Sequence, residues 1–251
     1  MQRITNDPDS AISELVKAIE PDPMIVANLL KAANSPLYFF GKEIRNVSQA
    51  VALFGMNMTR SIVMGNSVRK LLNVDMEPYG ITSEKFAEIS SKQASLMMKW
   101  YKKVNREKAD RLFLTAFLQE TGKIIIASDI IQEDLTTSFK SEIEMATNIA
   151  LVEKSYVDDT TATITSAIFQ HWNFDKEFVD MIHYSDNPSA APDEIREYAT
   201  ALNIVKTIIP VNAPFSDHAI NFGLQKAEQA GYDVKKLEDS INEFFNLPEA
   251  N

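Results

Sequence analysis

The chain has 251 residues, of which 45% are apolar and none is cysteine, and a formal net charge of −10. That length and apolar content suit one large domain or two small ones with a real core, and the missing cysteine removes disulfides and thiolate metal sites. The acidic balance argues against nucleic acid and anionic membranes as main partners, because the phosphate field repels most of the surface.

The opening segment, MQRITNDPDS, lacks the apolar core of a signal peptide, and no apolar stretch reaches the roughly 18–20 residues of a membrane span, so a cytoplasmic location is expected. Helical periodicity then dominates, and strand alternation is nearly absent. Ser10–Glu20 sets Ile12, Leu15, Val16 and Ile19 on one stripe. Pro21–Asn34 starts with prolines and is apolar almost all round, which predicts a helix buried on most sides. Asn34–Asn46 reads as a loop, Asn46–Gly55 as a short helix stopped by Gly55, and Met56–Leu72 as another helix. Asn73–Ile81, with Pro78 and Gly80, reads as a linker. Thr82 or Ser83 can cap a long helix running to about Tyr101. The basic run KWYKKVNREK, Lys99–Lys108, reads as a solvated helix end and loop. A helix from about Arg106 to Thr121 is expected to stop at Gly122, followed by a short one in KIIIASDII. Ser138–Tyr156 reads as one amphipathic helix, Asp158 or Asp159 as the cap of TTATITSAIFQHW, and Asp175 as the cap of KEFVDMIHY. Pro192 sits at the start of the next helix, and two short helices flank Gly231-Tyr232-Asp233. The sum is an all-α protein of roughly a dozen helices.

Little in this pattern carries chemistry by itself. The seven glycines form neither G-x-G-x-x-G nor a Walker cradle, and there is no G-x-S-x-G elbow. The three histidines, His171, His183 and His218, form no His-Asp pair or H-x-x-x-H spacing. The acidic pairs Asp158-Asp159 and Glu133-Asp134 fall at helix ends, where capping explains them. The exception is FLTAFLQETGKIII, Phe113–Ile126, where Gln119 and Glu120 stand between two apolar segments. A carboxylate near a helix C-terminus opposes the macrodipole, and Lys123 at i+3 is placed to offset it. The pair either bonds helix ends together or contacts a ligand.

Two stretches carry a family likeness. Ala18–Gly65 presents Asp22-Pro23 at a helix start, then Leu29-Leu30-Lys31-Ala32-Ala33-Asn34-Ser35, then Ile44, Ala50-Val51 and Phe54-Gly55. In that order and spacing it resembles the HDOD family, the HD-related output domain of bacterial signalling proteins. Asn34 and Ser35 are expected to close a buried helix, and Gly55 to permit a bend. The later run Phe113–Lys123 resembles the family phrase Phe-x-x-Gly-Leu-Leu-His-Asp-Ile-Gly-Lys, with Gln119 in place of the histidine, Glu120 in place of the aspartate, and Gly122 kept. By the same resemblance the remaining metal-ligand positions fall on Ile89, Thr161, Ser185 and Asp186.

The resemblance implies an HD-like all-α fold in three parts: an amino-terminal helical subdomain (1–81), an HD-like subdomain (82–210) and a helical extension (211–251). It also implies vestigial ligand positions with no catalytic residue, no metal and no cofactor, since isoleucine cannot bind a metal and glutamine and threonine bind poorly. The expected function is a non-catalytic signalling module acting through a protein partner or a small ligand. The alternative is a metal-dependent phosphohydrolase or cyclic-dinucleotide phosphodiesterase with an oxygen-only site.

Overall fold

The structure is a computed structural model, described over residues 8–21, 23–34, 44–71, 75–172 and 174–245. All regular structure among them is helical. The chain divides into two compact units, 1–72 with 243–251, and 73–242. Residues 73–81 and 211–242, expected in the first subdomain and in a separate extension, therefore fall in the larger unit.

The smaller unit contains α1 (Pro8–Ile19), α2 (Pro23–Ala33) and α3 (Val47–Leu71). Leu15, Val16 and Ile19 of the α1 stripe are buried, while Ile12 is exposed. On α2 only Leu29 and Ala33 are fully buried among its described side chains; Ile25, Val26 and Leu30 are half-buried, so the helix is less enclosed than its composition predicts. Asn34 follows α2 and clamps the return of the chain. Its amide nitrogen donates to the Ile44 carbonyl (2.8 Å) and the Leu30 carbonyl (3.0 Å), and its Oδ1 accepts from the Ile44 N–H (2.8 Å). Ser35 lies outside the described residues. Gly55 interrupts α3 at φ +72°, a left-handed conformation natural to glycine. The Thr59 hydroxyl donates to the Gly55 carbonyl just past the break (2.8 Å).

The larger unit opens with a 3-10 turn, Glu77–Tyr79, rather than a free linker: Pro78 and Tyr79 are buried. The helices α4 (Ser83–Val104), α5 (Arg106–Leu118) and α6 (Gly122–Gln132) follow, then α7 (Thr136–Met145), α8 (Ile149–Val157), α9 (Thr161–His171) and α10 (Lys176–His183). After a second 3-10 turn (Pro188–Ala190) come α11 (Asp193–Ile208) and α12 (Asp217–Gln229). The last helix, α13 (Val234–Phe245), begins in this unit. Asn105 alone separates α4 from α5. Its extended backbone breaks the helix, and its Oδ1 caps α5 through the Glu107 and Lys108 N–H groups. The basic run around it is only partly solvated, since Trp100 and Tyr101 are fully buried.

Three local expectations change. The single helix expected over 138–156 is two, α7 and α8, broken at Ala146–Asn148 although the amphipathic pattern continues. Neither Asp158 nor Asp159 caps α9; Thr160 does, and Asp158 ends α8 in a left-handed turn at φ +57°. Gly122 does not stop α5 but begins α6. Asp175 does cap α10, accepting from the Phe178 N–H at 2.9 Å. Phe169 packs edge-on against Trp172, Phe174 and Phe178, which fixes the α9–α10 turn.

Asn34→Ala removes three bonds and leaves both Ile44 backbone groups without their partner. We expect a loss of about 1–3 kcal/mol in stability, read as a lower thermal midpoint by circular dichroism; an unchanged midpoint would show that the clamp is dispensable.

Candidate functional site

Glu120 lies in the turn two residues past the end of α5 and two before the start of α6, between the C-terminal end of one helix and the N-terminal end of the next. The second of these offsets the dipole penalty of the first. The side chain is 1% exposed, as is that of Lys123, and Gln119 is 0% exposed. At this depth every polar group needs a partner, and most partners are residues that sequence reasoning did not single out.

Lys123, the second residue of α6, is the centre. Its Nζ lies 3.1 Å from Glu120 Oε2 and 2.5 Å from Glu153 Oε1, donates to Thr161 Oγ1 at 3.0 Å, and sits 5.0 Å over the Tyr79 ring. Glu153 on α8 is fully engaged. Its Oε1 also accepts from the Tyr79 hydroxyl (3.0 Å) and the Thr161 hydroxyl (2.7 Å), and its Oε2 accepts from the Thr161 N–H (2.7 Å). Burial, and then the charge of Glu153, push the Tyr79 hydroxyl well above its usual range, so it remains a proton donor.

A second set of bonds runs through Gln93 on α4. Its amide nitrogen donates to Glu120 Oε1 (3.2 Å) and to the Ile209 carbonyl (2.9 Å), both acceptors, which fixes the orientation of the amide. Its oxygen must then face Gln119, which answers with its own amide nitrogen at 2.9 Å. As a consequence Gln119 Oε1 is left without a donor. Glu120 Oε2 also lacks a hydrogen bond of acceptable geometry and relies on the ion pair with Lys123.

The third part is the rim. Asp186 and Lys206 of α11 pair at 2.7 Å with side chains 18% and 14% exposed. Asn203 donates to the Ser185 carbonyl (2.6 Å), while Lys226 of α12 donates to Asn203 Oδ1 (2.7 Å) and Thr207 Oγ1 (3.0 Å). Ser185 Oγ and Asp186 Oδ2 are buried without partners. Burial would raise both the Glu120 and the Asp186 carboxyls. The ammoniums of Lys123 and Lys206 outweigh it at Glu120, as Lys206 does at Asp186, so both lie below the ordinary range. Burial would lower Lys206, but Asp186, then Glu120 and Glu153, raise it.

Of the residues picked from sequence, Gln119, Glu120 and Thr161 therefore share one bonded network with Lys123, and Asp186 joins it through charge. Ile89 is buried on α4, one turn before Gln93, and supplies no polar atom. Gly122 contributes space: a Cβ there would lie 2.6 Å from the Thr161 carbonyl oxygen and 2.8 Å from Thr165 Oγ1. The Gly122 N–H donates to that hydroxyl at 2.8 Å, and the hydroxyl donates to the Gln119 carbonyl at 3.1 Å. His183 bonds Ser166 through Nδ1 (3.2 Å), away from the Lys123 contacts. Gln93, Glu153 and Lys206 were missed. The one signal available was Gln93 at i+4 from Ile89, on the same helix face.

A metal pair of the HD type does not fit these residues. No group of three or more His, Asp or Glu converges among the described residues. Thr161 Oγ1 is occupied by Lys123 and Glu153, and Glu120 Oε1 by Gln93.

The HDOD domain model matches residues 1–188, three quarters of the chain. The chain belongs to the HDOD family. Its fold is shared with an HDOD domain protein of unknown function from Geobacter sulfurreducens (16% identity, 95% of this chain and 84% of that one, TM-score 0.73). A candidate phosphohydrolase from Shewanella amazonensis is similar too (20%, 94% and 85%, TM-score 0.71), as is a candidate signal-transduction protein from Marinobacter aquaeolei (17%, 97% and 53%, TM-score 0.67). An uncharacterized protein of Treponema pallidum is 23% identical over 208 residues, 78% of this chain but 37% of that protein, so the chain spans little more than a third of that relative.

Two outcomes are expected. Gly122→Ala forces α6 and α9 apart and costs about 1–3 kcal/mol, visible as a lower thermal midpoint. The lowered Glu120 and Asp186 carboxyls contribute stability that is complete above the unfolded value near pH 4 and disappears as pH falls through the folded values. Asp186→Asn should therefore flatten the acid limb of a plot of melting temperature against pH, and a limb as steep as wild type would show that this carboxylate does not drive it.

Proposed function

We propose that this HDOD domain is a non-catalytic signalling module, acting through a protein partner or a small ligand. The observation that carries the reading is the Lys123 ammonium, bonded among Glu120, Glu153 and Thr161. Two of those three occupy positions that the family resemblance gives to metal ligands. Hydrolysis of the HD kind needs cations that acidify water and hold phosphate oxygens, and here Thr161 Oγ1, Glu120 Oε1 and both Glu153 oxygens already accept from protein donors. The name of the Marinobacter neighbour favours signal transduction, and that of the Shewanella neighbour favours hydrolysis. The chemistry of the corner favours the first reading for this chain.

The test is direct. Purified protein is incubated with cyclic dinucleotides and nucleoside phosphates in Mg²⁺ or Mn²⁺, and product is followed by chromatography. No turnover above the protein-free control is expected, and metal-dependent turnover abolished by Glu120→Ala would overturn the proposal. A thermal-shift series with the same nucleotides then separates a ligand-binding module, which is stabilised, from one that works through protein contact alone.

A further inference from the structure

Resting on that reading, we infer that Lys206 is a tethered counter-cation: its ammonium, held on Asp186, supplies the positive charge that a divalent ion would otherwise bring to the corner, and so closes the corner to metal. The geometry is that of a capped charge. Lys206 Nζ is 2.7 Å from Asp186 Oδ1, and both side chains are more than four-fifths buried. Lys123 performs the same service deeper in the corner, between Glu120 and Glu153. Three carboxylates thus face two ammoniums that contact them directly. The third nearby ammonium, Lys226, spends its recorded hydrogen bonds on Asn203 and Thr207.

Removing Lys206 exposes what it neutralises. Glu120 and Asp186 feel each other as like charges; Asp186 Oδ2 has no hydrogen-bond donor, and Glu120 Oε2 has only its ion pair with Lys123 at 3.1 Å. Their chain neighbours Gln119 and Ser185 each add another such oxygen. Unpartnered carboxylate, amide and hydroxyl oxygens are the ligand types of hard divalent cations, not of transition metals that prefer imidazole or thiolate. The wild-type corner has the oxygens but already contains its charge. Without the lysine the same oxygens hold an uncompensated negative charge, which is costly when buried.

The experiment compares full-length wild type with Lys206→Met and Lys206→Arg, by thermal unfolding and by calorimetric titration with Mg²⁺ and Ca²⁺. Wild type should melt at the same temperature with either ion or with chelator, and give no binding heat. Lys206→Met should melt on the order of 10 °C lower, bind one ion, and recover more than half of that loss in millimolar Mg²⁺ or Ca²⁺. Lys206→Arg should keep the wild-type midpoint and ignore both ions. Specific Mg²⁺ or Ca²⁺ binding by wild type overturns the inference, and so does a Lys206→Met protein that no cation restores or that melts like wild type. If Lys206→Met does not fold, Lys206→Met with Asp186→Asn carries the test. Losing the pair together should return the midpoint toward wild type, and failure to do so would assign Lys206 a packing role instead. Cation-indifferent Lys206→Met would sink this inference and leave the proposed function standing, whereas nucleotide turnover by wild type strikes at the function reading.

Discussion

A fully buried ammonium costs several kcal/mol to remove from water, and the Lys123 ammonium is buried with only 1% of its side chain exposed. The larger unit is arranged so that this cost is met. Lys123 rises from α6, Glu153 from α8, Thr161 from the start of α9, and Tyr79 from the 3-10 turn that opens the unit. Four separate elements therefore converge on one nitrogen. None can shift without leaving a charge or a hydroxyl unsatisfied in a low-dielectric interior. The Thr161 hydroxyl shows how tightly the accounting closes: it accepts from Lys123 and donates to Glu153 at once.

That arrangement changes what kind of site the corner is. A metal-binding corner stores its positive charge in ions that arrive, orient water and leave. Here the charge is covalently attached, and an ammonium has hydrogen-bond donors but no open coordination position for water or phosphate. The bonding set is accordingly static. Gln93 locks Gln119 and Glu120 by the demands of its own amide, and the carboxylates stay ionised because lysines hold them so. A corner of this kind suits holding helices at fixed distances.

How much of this could be read in the residues follows from how local each cause is. The all-α fold was legible because helical periodicity and caps act within a turn or two, as at Thr82 and Asp175. The Gln119-Glu120 pair stood out because two large polar groups interrupt an apolar run. Gly122 was noticed but given the wrong job: glycine after an apolar helix reads as a stop, whereas its lack of a Cβ serves the approach of the Thr161 carbonyl. The break between α7 and α8 was invisible because the amphipathic pattern runs through it. Gln93 and Glu153 were out of reach for a different reason. Gln93 meets Glu120 across 27 positions and Glu153 meets Lys123 across 30, and in a chain with 35 acidic residues nothing local marks Glu153 as buried.

The scaffold has requirements of its own at the residues that carry the family resemblance. The Asn34 side chain clamps the Ile44 backbone, and Gly122 leaves room for the Thr161 carbonyl, so both serve the path of the main chain. A substitution at either one disturbs helix placement whatever the corner contains. The ligand positions have no such claim on the backbone. Ile89 fills space, and Gln119, Glu120 and Thr161 need only find mutual donors and acceptors. The lysines balance charge at the carboxylates, and the helical frame rests on packing and polar pairing. The same frame can therefore carry either chemistry or none, and in this chain it is the side chains at one corner, not the fold, that decide which.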